Sequence, residues 1–341
     1  MGYVGPVFRE DGYTWRVCLI FSWIVLIDCK MIAVSVQNIK KKYGHTEALK
    51  GVSFEVERGR LFGIIGPDGA GKTSLFRILT TLLVADEGDA SVDGSDVLRD
   101  YKDIRRRVGY MPGRFSLYQD LTVEENLSFF ASVFGTTITE NYTLVEDIYK
   151  QIEPFKMRRA GKLSGGMKQK LALCCALIHK QSVLFLDEPT TGVDPVSRKE
   201  FWQMLRKLQE QDITILVSTP YMDEATLCDQ IALIREGEFL TIDTPDRIVM
   251  KFNDPLYAVS SGRMERLLSD LRRMPEVKSS YAFGDVHHVV TKQGVLPAEM
   301  ERRLRDAGHA DVEMHSIRAT IEDCFMALNR DMEKDKKMKQ E

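Results

Sequence analysis

The stretch Leu61-Phe62-Gly63-Ile64-Ile65-Gly66-Pro67-Asp68-Gly69-Ala70-Gly71-Lys72-Thr73-Ser74 decides the fold. Its first five residues are a short apolar run of the kind that fills a buried parallel strand. Gly66 to Thr73 then satisfies G-x-x-x-x-G-K-[ST] in full, and Ser74 to Thr81 (SLFRILTT) reads as a helix. Glycines let the backbone curl until successive N–H groups point at one anion. The helix N-terminus adds a partial positive charge. Lys72 has the length to reach β- and γ-phosphates, and the Thr73 hydroxyl suits Mg²⁺. Strand, loop and helix together imply a nucleoside-triphosphate site formed by Gly66, Pro67, Asp68, Gly69, Ala70, Gly71, Lys72, Thr73 and Ser74.

Such a site needs an acid at the end of a second strand. Ser182 to Leu186 (SVLFL) is a run of strand type, and Asp187-Glu188 terminate it. Asp187 suits the Mg²⁺ shell, while Glu188 is placed to orient or deprotonate the attacking water. An isolated Asp-Glu pair reads as a solvated strand end; after an apolar strand in a chain with a phosphate loop it reads as catalytic. A third element, Leu163-Ser164-Gly165-Gly166-Met167-Lys168-Gln169, precedes an apolar helix expected over Lys170 to Ile178. Ser164 is a natural N-cap, and the two glycines leave that helix terminus open to an anion. A plain capped helix start does not explain both glycines.

Composition narrows the class. The chain has 341 residues, room for about two domains, and its 44% hydrophobic content supports a sizeable core. The 47 basic and 50 acidic side chains give a net charge of -3, which argues against nucleic-acid binding by bulk charge. Six cysteines, at 18, 29, 174, 175, 228 and 324, form no C-x-x-C pair and no disulfide or zinc framework. Residues 1–30 differ in pattern from the rest of the chain. Val17 to Ile27 is an apolar run too short to span a bilayer, and no small-x-small cleavage site comes after it. The pattern that begins at Met31 is strand-like, so 1–30 read as upstream sequence or a disordered extension.

LSGGMKQK, with GPDGAGKT before it and VLFLDEPTTGVDP after it, resembles the ATP-binding subunit of an ABC transporter. The resemblance covers about residues 31–250. It implies an α/β P-loop NTPase domain with a mainly parallel core sheet and a helical subdomain inserted at about 110–161. It also implies that two subunits pack head to tail, each ATP lying between the phosphate loop of one and the LSGG helix of the other. Ser164, Gly165, Gly166 and Met167 then serve a partner's ATP. Tyr43, in KKYG, stands where the family places an aromatic on adenine, and Asp194, in TTGVDP, matches the loop that communicates between sites. ATP and Mg²⁺ are the implied ligands. The implied partners are transmembrane subunits and a second ATPase, with no nucleic acid, at the cytoplasmic face of the membrane.

Two positions depart from the family pattern. Tyr110-Met111-Pro112 is followed by Gly113 where glutamine is usual, and Gln119 lies six residues further on. The strand expected over Ile213 to Thr219 is followed by Pro220 where histidine is usual. Proline cannot donate a hydrogen bond. An intact cradle beside two missing polar groups leads to the expectation of normal ATP binding, slow hydrolysis at this chain's own site, and an asymmetric pair with a second, consensus-like ATPase. A homodimer, a soluble non-transport ABC protein and a regulatory nucleotide-binding module are the alternatives. The soluble proteins usually carry two tandem ATP-binding halves, whereas one cradle and one LSGG occur here.

The last third reads as a small α+β domain, residues 255–328, then a charged, frayed tail over 329–341. Leu256 to Ser260 and Val286 to Thr291 are its expected strands; Met264 to Met274 and Pro297 to Ala307 are its expected helices. Ala319 to Leu328 (ATIEDCFMAL) resembles the helix that ends the C-terminal extension of drug-type and type-2 ABC exporters. His287 and His288 are adjacent on a strand and so face opposite ways, which argues against a shared metal.

Overall fold

The computed structural model describes residues 8–10, 13–15, 31–113 and 117–338. The apolar run Val17–Ile27 and the end of the tail, 339–341, lie outside the described residues. Among the described residues no helix is long and apolar enough to cross a membrane. The chain divides into two compact units, the first ending at Thr244 and the second starting at Pro245.

A short hairpin, β1 (Phe8–Glu10) and β2 (Tyr13–Trp15), comes first. Strands β3 (Ile32–Tyr43), β4 (Thr46–Glu57), β6 (Glu87–Val92) and β7 (Ser95–Asp96) form an antiparallel sheet in the order β4-β3-β6-β7. The central sheet is built from β5 (Leu61–Ile65), β8 (Val108–Met111), β9 (Val183–Asp187), β10 (Thr214–Thr219), β11 (Gln230–Arg235) and β12 (Glu238–Asp243). Their order across it is β12-β11-β5-β10-β9-β8. Only the β11–β12 pair is antiparallel; the rest run parallel. Every residue of β5, β9 and β10 is buried, as a sheet covered on both faces requires. Phe54 of the antiparallel sheet stacks on Phe62 of the parallel one, centroids 5.3 Å apart, so the two sheets share a core.

Helix α1 (Lys72–Leu79) leaves β5 through the glycine loop and packs Phe76 edge-on against Phe185 of β9. After α2 (Tyr101–Arg107) and β8, the chain enters α3 (Val123–Val133) and α4 (Tyr142–Tyr149). Thr122 and Glu125 close a reciprocal capping box at the start of α3. Helix α5 (Gly165–Leu177) starts earlier than expected, at the glycines themselves, because Ser164 caps it by accepting from Met167 N. Helix α6 (Pro195–Glu210) comes after β9.

The second unit opens with α7 (Pro245–Met250). It continues β13 (Leu256–Ser260), α8 (Met264–Arg273), β14 (Val277–Phe283), β15 (Val286–Thr291), α9 (Pro297–Asp306) and β16 (Glu313–Ser316). Two of its four strands, β14 and β16, were not evident in the sequence. The antiparallel order β14-β15-β13-β16 with a β-α-β-β-α-β succession is the split βαβ arrangement. Leu267 and Leu271 of α8, and Met300 and Leu304 of α9, each one turn apart, close a core with Tyr257, Val259 and Val289.

His287 and His288 do face opposite sides of that sheet. His287 Nε2 donates to Met264 O of α8 at 2.7 Å, while His288 Nδ1 lies 2.7 Å from Asp323 Oδ1 of α10 (Ile321–Met338). The frayed tail expected from Asn329 is corrected by α10, which continues as helix to Met338. Arg330 explains why: its Nη1 donates to Ser279 Oγ at 3.0 Å, and one turn on Lys334 pairs with Asp331.

Asp323 fixes α10 to the sheet. Its two oxygens accept from Tyr281 OH, His288 and both the amide and hydroxyl of Thr320. Burial pushes its carboxyl pKa up, but the bonds from Tyr281, His288 and Thr320 outweigh that and hold it below the ordinary value. A depressed carboxylate stabilises the fold above the unfolded pKa, about 3.9, and that stability is lost as pH falls through the folded one. Asp323→Ala is expected to cost the second unit about 3 kcal/mol in urea unfolding at pH 7, with the gap to wild type shrinking as pH falls below about 4.

Candidate functional site

The phosphate loop stands where two sheets meet. A Cβ at Gly66 would lie 2.1 Å from Ile234 O of β11, and one at Gly71 would lie 2.3 Å from Ala48 O of β4. Gly71 also has φ +104, a left-handed conformation that side chains resist. The first amides of α1 have no acceptor within their own helix and so face the loop's concavity. Lys72 is 2% exposed; its ammonium donates to Gly66 O at 2.8 Å and Pro67 O at 3.0 Å. It also pairs with Glu188 Oε1 at 3.1 Å. Pro67, Asp68 and Gly69 form the exposed lip, while Ala70 is buried beneath it. Tyr43, at the end of β3, is 47% exposed, with its hydroxyl 3.3 Å from Ser74 Oγ and the Lys41 ammonium over its ring, 5.9 Å from the centroid.

Asp187 and Glu188 end β9 beside the cradle, because β9 pairs with β10 and β10 with β5 in parallel. Ser218 of β10 holds both acids. Its hydroxyl donates to Asp187 Oδ1 at 2.6 Å and accepts from Glu188 N at 3.1 Å, while Ser218 O accepts from the same amide at 3.0 Å. Glu188 has φ +50, rare for a residue with a side chain, and this turn delivers its carboxylate to Lys72. Ser218 was missed in the sequence, although a polar residue ending a buried strand was the available signal. Asp187 is 2% exposed, and with the Thr73 hydroxyl it offers the hard oxygen donors that Mg²⁺ prefers.

Both departures from the family pattern fall here. A Cβ at Gly113 would lie 2.9 Å from Asp187 O and 3.7 Å from Glu188 Cβ. The chain entering the helical region therefore runs directly over the two acids. Pro220 comes after Thr219, whose carbonyl accepts from Gly66 N at 3.2 Å. Gln119 is exposed, with its carbonyl bonded to Gly161 N.

Ser164, Gly165, Gly166 and Met167 form a second cluster with the start of α6. Asp194 caps α6 by accepting from Ser197 N at 3.0 Å, a bond that holds its carboxyl below the usual range. A Cβ at Gly166 would lie 2.6 Å from Ser197 Oγ and 2.8 Å from Ser197 Cβ. One of the two glycines thus has a packing reason of its own.

The family model described as "ABC transporter" matches residues 49–191. The chain is 41% identical over 302 residues to the probable multidrug ABC transporter ATP-binding protein YbhF of Escherichia coli (strain K12). That match covers 86% of this chain but 52% of the relative, so the chain spans about half that protein's length. It is 34% identical to the daunorubicin resistance ATP-binding protein DrrA2 of Streptomyces coeruleorubidus, covering 87% of this chain and 94% of the relative. The chain belongs to the ABC transporter ATP-binding proteins. Among solved structures, the dimeric post-hydrolysis state of the ATP-binding cassette MJ0796 bound to ADP and Pi is 25% identical. That cassette superposes with a TM-score of 0.56 over 62% of this chain and 98% of its own.

This ABC ATPase fold therefore carries two separate groupings: a cradle with its two acids, and a glycine helix terminus braced on α6. Gly166→Ala is expected to lower stability by about 1–3 kcal/mol through overpacking against Ser197. Because both Oγ and Cβ of Ser197 are in the way, Ser197→Gly in the same chain should recover part of the loss and Ser197→Ala little of it. Thermal unfolding of the three variants decides this.

Proposed function

We propose that this chain is one of two ATPase subunits that dock on transmembrane partners at the cytoplasmic face of the membrane and drive export by closing around ATP. The multidrug and daunorubicin-resistance names of its relatives support the export direction. The dimeric cassette among its structural neighbours supports the pairing. Tyr43 would stack on adenine, and Gly66 to Ser74 would hold the phosphates. Thr73 and Asp187 would hold Mg²⁺, which when bound neutralises charge on the β- and γ-oxygens. Ser164 to Met167 would contact the partner's ATP, and Asp194 would communicate between the sites.

Hydrolysis at this chain's own site is proposed to be slow. Glu188 supplies a base within reach of the lysine that marks the phosphate position, a role worth about 10²–10⁴ in rate. Phosphoryl transfer nevertheless depends on positioned polar groups around the γ-phosphate, and losing one donor costs roughly 10²–10³. The observation that carries this reading is the placement of Gly113 against Asp187 and Glu188, where it brings no side chain. The intact LSGG terminus would then complete the faster site of a different ATPase, which favours a heterodimer over a homodimer.

Single-turnover hydrolysis by the purified chain is expected to be slow, while ATP binding is tight and is lost in Lys72→Ala. Pro220→His should raise the rate by roughly tenfold or more. Gly113→Gln alone should gain less, because its Cβ meets the Asp187 carbonyl. Fast turnover in wild type that persists in Glu188→Gln would overturn the assignment.

A further inference from the structure

Between the two groupings lies an ion pair, its carboxylate buried and its guanidinium half-buried, that neither one uses. Glu224 is 2% exposed, and one of its oxygens accepts from Thr219 Oγ1 at 2.6 Å. The other accepts from Arg198 Nε at 3.2 Å and Nη2 at 3.1 Å. The Arg198 guanidinium also reaches Asp223 at 3.3 Å and lies 4.2 Å over the Tyr221 ring. Tyr221 N donates to Thr219 Oγ1 at 3.1 Å, so the turn around Pro220 is held from both sides. Carboxylates are almost never fully buried unless paired.

The two ends of this pair touch different functional elements. Thr219, bonded to Glu224, also accepts from Gly66 N, the first amide of the phosphate loop. Arg198 sits in the first turn of α6, its amide bonded to Asp194 O. Its neighbour Ser197 is the residue packed against Gly166 in the LSGG terminus. A continuous series of short contacts thus runs from Gly66 through Thr219, Glu224, Arg198 and Ser197 to Gly166. A buried ion pair adds little net stability against an apolar pair of like volume, and its geometry is what sets it apart.

We propose that Arg198–Glu224 is a positioning pair that couples ATP on this chain's phosphate loop to the orientation of its own Gly165–Gly166 helix terminus. This rests on the ATP-binding reading above and extends it to regulation. A nucleotide that shifts Gly66 pulls on Thr219, and the two-pronged Arg198–Glu224 contact carries the shift to α6 where an apolar contact would slip. Thr219 and Glu224 thereby link the end of β10 to the start of α6.

The test uses the full chain at dilute concentration. Binding of a fluorescent ATP analogue is titrated, and hydrogen exchange of the Gly165 to Lys168 amides is followed with and without ATP. In wild type, ATP is expected to change exchange at these amides. Arg198→Met/Glu224→Met should bind the analogue within about threefold of wild type and keep its Tm, while the ATP-dependent exchange change shrinks roughly 5- to 30-fold. Arg198→Lys, which keeps the charge but not the two-pronged contact, should show the same loss and serves if the double variant does not fold. An unchanged exchange response in either variant makes the pair a mere brace and overturns the proposal. Wild type that binds ATP with no change at Gly165 to Lys168 overturns it too. Wild type that binds no ATP brings down the underlying reading as well.

Discussion

Backbone packed directly on backbone at the glycine loop is the constraint on which the molecule depends. Gly66 lies against the carbonyl of Ile234 in β11, and Gly71 against that of Ala48 in β4. The surrounding bonds repeat the theme: Gly237 N donates to Ala70 O at 3.1 Å, and Lys50 N to Gly237 O at 2.9 Å. The loop is therefore a seam between the antiparallel and parallel sheets as well as a cradle. A side chain at Gly71 would push β4 of the antiparallel sheet away, and one at Gly66 would push the end of β5 off its neighbour β11. Fold and site cannot be changed separately there.

The same closeness recurs at the two other glycine positions that matter. Gly113 lets chain pass over the Asp187 carbonyl, and Gly166 lets α5 approach Ser197. At Gly66, Gly71 and Gly166 the missing side chain brings a neighbouring element closer. At Gly113 it does that and also removes a polar group from beside the acids. At these four positions glycine sets a distance first and a chemistry second.

Much of this was legible in the sequence because local chemistry wrote it there. The apolar runs at Leu61–Ile65 and Val183–Leu186 read as buried strands, and the phosphate loop, Asp187 and Glu188 emerged from spacing. Ser164 as a cap was equally local. What stayed hidden depends on contacts distant in sequence. Strands β14 and β16 are short and mixed in pattern, so their pairing with β15 and β13 is set by the sheet and not by their own residues. Ser218 becomes a holder of both acids only when β9 and β10 align Ser218 with Asp187. Asn329 to Met338 looked like solvated tail, and becomes helix through Arg330 and its partner Ser279 in β14.

The strand order of the central sheet also has a consequence for how the protein is made. Strand β5, which carries the phosphate loop, is flanked by β10 and β11, and Leu61 pairs with Ile215. At a translation speed of about 5–20 residues per second, roughly eight to thirty seconds separate the synthesis of β5 from that of its nearer neighbour in sequence, β10. Through that interval an apolar strand has both edges unpaired, and the loop lacks the sheet that shapes it. The nascent chain is therefore most exposed to aggregation and to chaperones while the segment between α1 and α6 is being made.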